Sequence, residues 1–244
     1  MPKLTARSLL ASAEQTAGGT GAAVELHPDT TIDLRLDASA ISGGTLAVIV
    51  ETSADGTNGW AEVIPKGDDG NPAKFLSVTT PGSQLVVFPN CNKFVRVRWT
   101  LSGGTATFSV LGDSVRVYAK ANEWHMLGLH LAFMAKCSDR KFDAAIREKT
   151  DITDSAVGMQ MPTPLDVWGW DIRGGVLACA AAALMSVDGR RQGQDELVVA
   201  RCAAYDEWLD KVAESKRKPA GAVDPTPEVD DGGAYAVSDA RRGW

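Results

Sequence analysis

The fold is decided by residues 161–189, which read MPTPLDVWGWDIRGGVLACAAAALMSVDG. Prolines at positions 162 and 164 disfavour helix and favour extended backbone, so a helix is expected only after them. Asp166 can cap that helix, and Asp188-Gly189 can end it. Apolar residues at helical spacing form one face, namely Trp168, Ile172, Val176, Ala180, Ala183 and Val187. The stretch therefore predicts a central packed helix that carries no catalytic group.

The surface of this helix has two unusual features. Residues 178–183 are all alanine except Cys179, which would let another helix approach closely. Gly174 and Gly175 cost roughly 1 kcal/mol each relative to alanine inside a helix. That cost indicates a crowded contact or a bend at the glycine pair.

Three further helices are predicted around the central one. Apolar residues step by three and four along residues 123–136, and Asp139 can cap a helix over residues 139–157. A fourth helix is expected over residues 195–214, followed by a basic stretch that suits a helix C-terminus and by Pro219, which stops the helix. The short connections favour antiparallel neighbours in a small bundle.

The first 118 residues have a β pattern. Ile32, Leu34 and Leu36 alternate with charged residues, and residues 46–50 and 84–88 are further candidate strands. Residues 94–99 and 105–110 alternate on either side of a Ser-Gly-Gly turn, which predicts a hairpin. Asp113 is expected to begin another turn. Strands separated by turn signals, with no helical stretch among them, predict an antiparallel β-sandwich.

The change from period 2 to period 3.6 near residues 118–122 predicts two separate cores. The expected α+β, multi-domain organisation is a β-sandwich over residues 1–118, an α-helical domain over 119–219 and an extended C-terminal tail over 220–244. Prolines, glycines and acidic residues dominate the start of the tail, which therefore cannot bury enough apolar surface to fold alone. Its end is different, because it carries aromatic and basic side chains suited to docking, namely Tyr235, Arg241, Arg242 and Trp244.

The helical half resembles a known family. A P-L segment, W-G-x-D, an Ala-rich helix and L-M-S-V-x-G follow one another, and W-L-x-x-V-A comes before a basic end. In this order, over about residues 121–244, these motifs resemble the head–tail connector (adaptor) proteins of tailed bacteriophages. The aromatic-basic pair that commonly precedes the proline segment in that family is replaced here by residues 159–161, Met-Gln-Met. In the N-terminal half, the S-A-D-G turn followed by Trp60 and the x-V-R-V-x-W strand resemble small β-sandwich domains of phage structural proteins.

The resemblance implies a structural virion protein of the neck, assembled in the host cytoplasm. It implies a homo-oligomeric ring of twelve copies that docks under the portal protein, extends the DNA channel and contacts a neck or tail completion protein. The formal charge of −6 argues against general nucleic-acid binding and suits a lumen through which DNA slides. The alternative function is a capsid- or carbohydrate-binding module carried by the β-sandwich, for which an exposed Trp60 would be the sign.

Two groups of residues are candidate contact sites. Trp168 and Trp170, if both lie on the central helix, point about 200° apart, so one of them is expected to meet another chain. The aromatic and basic tail end, with Tyr235, Arg241, Arg242 and Trp244, is expected to dock on the portal, with Trp244 as an apolar anchor. Arg96 and Arg98 fall on the exposed side of their strand, where they face either solvent or an acidic partner.

No enzyme, metal or cofactor site is predicted. The chain has no P-loop, nucleophile elbow or dinucleotide-binding motif, and His125 and His130 do not share a helix face. No window approaches the roughly 18 apolar residues of a membrane span. The four cysteines show no C-x-x-C spacing, and Cys179 and Cys202 fall on apolar helix faces, so buried free thiols in a reducing compartment are expected.

Overall fold

A computed structural model describes residues 4–67, 71–128, 137–188 and 196–222. In these ranges nine β-strands come first along the chain: β1 (Leu4–Gln15), β2 (Gly19–Thr20), β3 (Val24–Glu25), β4 (Thr30–Ser42), β5 (Leu46–Ser53), β6 (Ala61–Glu62), β7 (Gly82–Phe88), β8 (Phe94–Leu101) and β9 (Thr105–Arg116). They form two antiparallel sheets. One has the order β1-β9-β4-β7, and the other has the order β2-β8-β5-β6 with β3 also pairing with β8.

The two sheets share one cluster of buried side chains. Ile32, Leu34 and Leu36 of β4 are buried, which confirms the alternation predicted for this strand. From the other sheet, Trp99 packs edge-on against Phe108 of β9, with ring centroids 5.7 Å apart. The apolar faces of the two sheets are therefore turned toward each other.

The predicted hairpin over residues 94–110 is wrong. β8 pairs with β5, whereas β9 pairs with β1 and β4, so the Ser-Gly-Gly turn carries the chain from one sheet to the other. Gly103 and Gly104 adopt left-handed φ angles of 93° and 65° in this turn. A Cβ at Gly104 would collide with the carbonyl oxygen of Ser42, the last residue of β4, where the β4–β5 turn also crosses between the sheets. The two crossing turns thus pack on each other through bare backbone.

Two more features of the strands differ from expectation. Asp113 begins no turn, because β9 continues through it to Arg116 and pairs with β4 along its length. β1 was not predicted from the sequence. Its pairing with β9 shifts register between Ser8 and Leu10 and again between Leu10 and Ala13. Each shift breaks the two-residue alternation that would have revealed the strand.

The helices follow the sheets. They are a 3-10 helix (Ala121–Leu127) and the α-helices α1 (Asp139–Val157), α2 (Trp170–Asp188) and α3 (Glu196–Ala213). The helix predicted over residues 123–136 is replaced at its start by the 3-10 helix, which ends at Gly128 in the left-handed conformation, and residues 129–136 lie outside the described ranges. Ser138, one residue before the predicted cap, accepts a hydrogen bond from the Lys141 N–H at 3.1 Å.

The central helix begins later than predicted. α2 starts at Trp170, because Asp166 accepts a hydrogen bond from Arg116 at 2.5 Å instead of capping the helix. Ile172, Val176 and Ala180 are fully buried, as their spacing predicts. The chain therefore has the predicted coarse class, an α+β fold with antiparallel sheets followed by helices.

The connection between sheets and helices is buried. Val117, Tyr118 and Ala119 follow β9 directly and belong to the same buried cluster as the helices. Tyr118 is the hub of this connection: its N–H donates to Thr150 at 3.2 Å, its carbonyl accepts the Trp168 indole N–H at 2.9 Å, and its hydroxyl accepts the Leu165 N–H at 3.0 Å. The segment at which the sequence period changes, residues 117–119, is thus packed in the interior rather than exposed as a linker.

Ion pairs also join the first sheet to α1. Arg147 donates to both carboxylate oxygens of Asp33 on β4, at 2.6 and 2.8 Å. Its Nε also lies 2.8 Å from the buried carboxylate of Asp143, which accepts a hydrogen bond from Thr31 at 2.6 Å. Among the described helices, none combines the length and apolar character that crossing a bilayer requires.

Candidate binding groove

A groove of about 590 Å³ lies between the 3-10 helix, the start of α2 and the length of α3. Gly174 and Gly175 line it on the α2 side. A Cβ at Gly174 would lie 2.8 Å from the Trp170 ring, and a Cβ at Gly175 would overlap the Tyr205 ring. Of the two alternatives predicted for the glycine pair, a crowded contact or a bend, the structure shows the crowded contact, and at Gly175 this contact lets α3 approach α2.

Aromatic rings from α3 form the inner part of the groove. Tyr205 is buried, and its hydroxyl lies 2.9 Å from the Thr153 hydroxyl of α1. Burial raises the pKa of Tyr205, so its hydroxyl stays protonated. Trp208 stacks on Tyr205, with ring centroids 5.5 Å apart and planes inclined by 13°. The result is a fixed aromatic surface that is open on one side.

The rim of the groove is apolar and basic. Trp170 is 55% exposed and Met126 is 45% exposed. Arg201 and Arg217 are exposed, and neither forms a salt bridge with another residue in the described ranges. Asp171 is the single acid among the described lining residues, and its two oxygens already accept the backbone N–H groups of Ile172 and Ala220.

Trp168 and Trp170 occupy different environments. Trp168 is half-buried before α2 begins: its ring packs edge-on against Tyr118 at 4.8 Å, stacks on His27 at 5.9 Å and lies beneath Arg173. Burial, together with the charge of Arg116, lowers the pKa of His27, so its ring favours the neutral form. The argument that the two tryptophans lie on opposite faces of one helix is wrong, since Trp168 is outside the helix. Of the pair, Trp170 is the one left open to solvent.

Cys179 and Cys202 are not the free thiols that were expected. They form a disulfide between α2 and α3, with Cα atoms 4.6 Å apart, whereas Cys91 is a buried free thiol and Cys137 is also buried. The small side chains of α2 bring the helices this close. Asp206 lies beside the disulfide, and the three side chains could hold a metal ion only if the cysteines were reduced. Burial raises the pKa of Cys91 to about 12, so that thiol stays protonated.

The sheet surface around Trp60 bears on the alternative function. The guanidinium of Arg96 lies 4.0 Å above the centre of the Trp60 ring. Arg96 and Arg98 both bind Glu51, at 2.9 and 2.7 Å, so the acidic partner considered for them is within the chain. One face of Trp60 is thus already covered and is not free to stack on a sugar.

The portal-docking residues predicted in the tail, namely Tyr235, Arg241, Arg242 and Trp244, lie outside the described residues. The groove itself was only partly predictable. The glycine pair marked its floor, but no sequence signal placed Arg201 and Arg217 beside it, because Arg201 lies on α3 and Arg217 follows four residues after that helix ends.

Comparisons with known proteins give weak similarities. No protein-family model matches the chain, and neither does any curated protein. The crystal structure of the SPBc2 prophage-derived protein YomS matches with a TM-score of 0.32 and 9% identity, over 46% of this chain and 95% of that protein. The structure of infectious bursal disease virus, Gx strain, matches with a TM-score of 0.31 and 12% identity, over 48% of this chain and 33% of that one. Scores this low establish neither a shared fold nor a shared function.

Proposed function

We propose that the protein is a structural component of a tailed-phage virion that acts as a head–tail connector. The observation that carries this proposal is the ordered set of motifs over residues 121–244, which resembles the connector family. In this proposal a β-sandwich of residues 1–118 is joined to a helical adaptor domain of residues 119–219. An extended tail, residues 220–244, completes the chain.

The assembly would be a ring of twelve copies in the neck of the virion, beneath the portal. The exposed Trp170 supports a subunit contact on the helical half, because large aromatic side chains are enriched at interface cores. Trp168 would take part only indirectly, by holding the segment before α2 against Tyr118. The tail end would bind the portal protein, and the free face of the ring would receive the neck or tail completion protein.

The charge of the chain supports a role in lining a DNA channel. With a formal charge of −6, the protein offers little net attraction to phosphate, so DNA would pass through the ring without being held. The Arg35–Asp37 and Arg96–Glu51 pairs further reduce the number of free cations on the β half.

The test is replacement of Trp170 with alanine, followed by mass measurement of the intact assembly. An interface hot spot would cost about 2 kcal/mol or more per contact, so ring formation should require a protein concentration at least about 30-fold higher. Circular dichroism should be unchanged, because Trp170 is mostly exposed. The matched control is Leu85→Ala, which removes a side chain 69% exposed on β7. A ring that is equally stable in both variants would contradict the proposed interface.

A further inference from the structure

We propose that the groove is a binding site for the proline-acidic segment of the same chain, residues 223–231, which follows the last described residue. This segment, called the strap below, reads VDPTPEVDD. The inference is independent of the connector function, because it concerns how one subunit covers its own groove.

The chain lies beside the groove at residues 220–222, which favours the strap as the occupant. The Ala220 N–H donates to Asp171 at 2.9 Å, and Asp171 lines the groove. Ala222 packs against the helical core. The strap therefore starts at the rim of the groove, which gives it a high effective concentration there compared with any segment of another molecule.

The length of the strap suits the site. The Arg217 N–H binds the carbonyl of Lys211, and Lys211 lies about 15 Å from Arg201 along α3. Nine residues in the polyproline II conformation extend over about 28 Å. The strap can thus pass both arginines before the chain reaches Gly232-Gly233.

The chemistry of the groove matches a proline-rich ligand. Prolines in the polyproline II conformation dock on aromatic surfaces, because the ligand has little conformational entropy left to lose. Tyr205 and Trp208 provide such a surface, and Pro225 and Pro227 favour the polyproline II conformation in the strap.

Charge complementarity supports the same occupant. The strap carries four carboxylates, those of Asp224, Glu228, Asp230 and Asp231. The groove offers Arg201 and Arg217, for which no salt-bridge partner exists among the described residues. An arginine can bind a carboxylate through two parallel hydrogen bonds, which sets register as well as affinity.

A seated strap would shorten the free part of the tail. The chain beyond residue 231 would start from a fixed point beside α3, with Gly232-Gly233 as its hinge. Only residues 234–244 would then search for a partner, which lowers the entropy that their docking has to overcome.

Photo-cross-linking of the full chain tests the proposal. A benzophenone amino acid would replace Met126, which lines the groove and is 45% exposed. After irradiation, mass spectrometry of the monomer should find cross-links to residues 223–231. The same photoreactive residue at Leu85, exposed on β7 of the first sheet, is the control and should give none to the strap.

Exchanging the charges of the groove and the strap provides a second test. The cross-link should be lost in the double variant R201E/R217E and should return when Glu228, Asp230 and Asp231 are also replaced with lysine. Loss of the cross-link in the first variant and its recovery in the second support the proposal. Cross-links from position 126 that avoid the strap, or that occur only in species of dimer mass, would overturn it.

Discussion

At position 175 the absence of a side chain lets the ring of Tyr205 lie directly on the backbone of α2. The position before it differs, because a Cβ at Gly174 would meet only the ring of Trp170, which is exposed and can move away. The two glycines are neighbours with the same helix propensity, so they form a matched pair. The two positions differ in whether the neighbouring aromatic ring can move away from an added Cβ.

The variants Gly175→Ala and Gly174→Ala should therefore have different effects on stability. Gly175→Ala should lower the free energy of unfolding by about 1–3 kcal/mol, because overpacking outweighs the gain in helix propensity. Gly174→Ala should leave it unchanged or raise it by up to about 1 kcal/mol. Urea denaturation followed by circular dichroism measures both. Equal effects of the two substitutions would show that Tyr205 does not rest on Gly175.

Asp154 is a second single residue whose burial affects the stability of the protein. The Tyr118 hydroxyl donates to Asp154 Oδ1, whereas Oδ2 is buried with no hydrogen-bond partner in the described structure. Burial raises the pKa of Asp154, and the hydrogen bond from Tyr118 lowers it in part. The folded protein therefore binds a proton at Asp154 more tightly than the unfolded chain does.

This shift predicts a pH dependence of stability. Because the folded-state pKa of Asp154 is raised, its contribution is most favourable below the unfolded pKa of 3.8 and is lost as pH rises through the folded value. Asp154→Asn should flatten the fall in unfolding free energy between pH 4 and pH 7. Tyr118→Phe should steepen it, since the hydrogen bond that lowers the pKa is removed. Burial also raises the pKa of Asp143, so some slope should remain in Asp154→Asn. Identical slopes in all three proteins would contradict this account.

At the scale of elements, the sequence predicted strands and helices better than their partners. The alternation correctly placed Val95, Val97 and Trp99 of β8 in the interior, and Ala106, Phe108 and Val110 of β9, although Ser109 is buried as well. It could not show that β8 and β9 lie in facing sheets, because a strand that crosses to a second sheet has the same period as one that returns in a hairpin. The decisive information is the packing of two distant turns, Gly103-Gly104 against Ser42, which is not local in sequence.

The start of α2 shows a similar limit. Asp166 is a good cap by residue type, but Arg116 donates both to its carboxylate and to the Leu165 carbonyl, and the helix starts four residues after Asp166. Because the helix was predicted to begin directly after Asp166, Trp168 was assigned to a helix face that it does not occupy. Long-range hydrogen bonds decided this boundary, and a single sequence does not show them.

Arg147 is the cation that joins β4 to α1, and its removal should be costly. Arg147→Ala would leave the carboxylate of Asp143, which is only 4% exposed, without its charge partner. Breaking a buried pair in this way typically costs about 3–5 kcal/mol. Thermal and chemical denaturation should show this loss, and adding Asp143→Asn to Arg147→Ala should recover part of it. If the second substitution recovers nothing, the buried charge is not the source of the loss.

For the whole molecule, the joint between sheets and helices determines how the two halves behave. Residues 117–119 are fully buried, and Arg173 of α2 reaches back to Asp29 at 3.1 Å and Glu123 at 3.0 Å. Because its backbone is buried, we expect this joint to resist proteolytic cleavage. In the proposed ring, a load on the tail side would therefore pass through the helices to the sheets without an exposed hinge at residues 117–121.

The last prediction concerns the end of the tail. Deletion of residues 234–244 should leave the ring intact, since it does not remove Trp170, the proposed subunit contact, and should strongly reduce attachment to heads that carry a portal. The reason is that Trp244 provides a large apolar anchor with few rotamers to lose, and Arg241 and Arg242 can pair with carboxylates on the partner. Mass measurement of the assembly reports on the ring, and co-sedimentation with portal-bearing heads reports on attachment.

The matched control keeps the tail length and changes only its chemistry. A variant with Tyr235 and Trp244 replaced by serine, and with both arginines replaced by glutamine, should lose attachment as the deletion does. If attachment persists in both the deletion and this variant, the tail end is not the portal contact, and the contact must lie on the folded part of the chain. If the deletion abolishes attachment but the variant does not, tail length rather than the aromatic and basic side chains holds the ring to the portal.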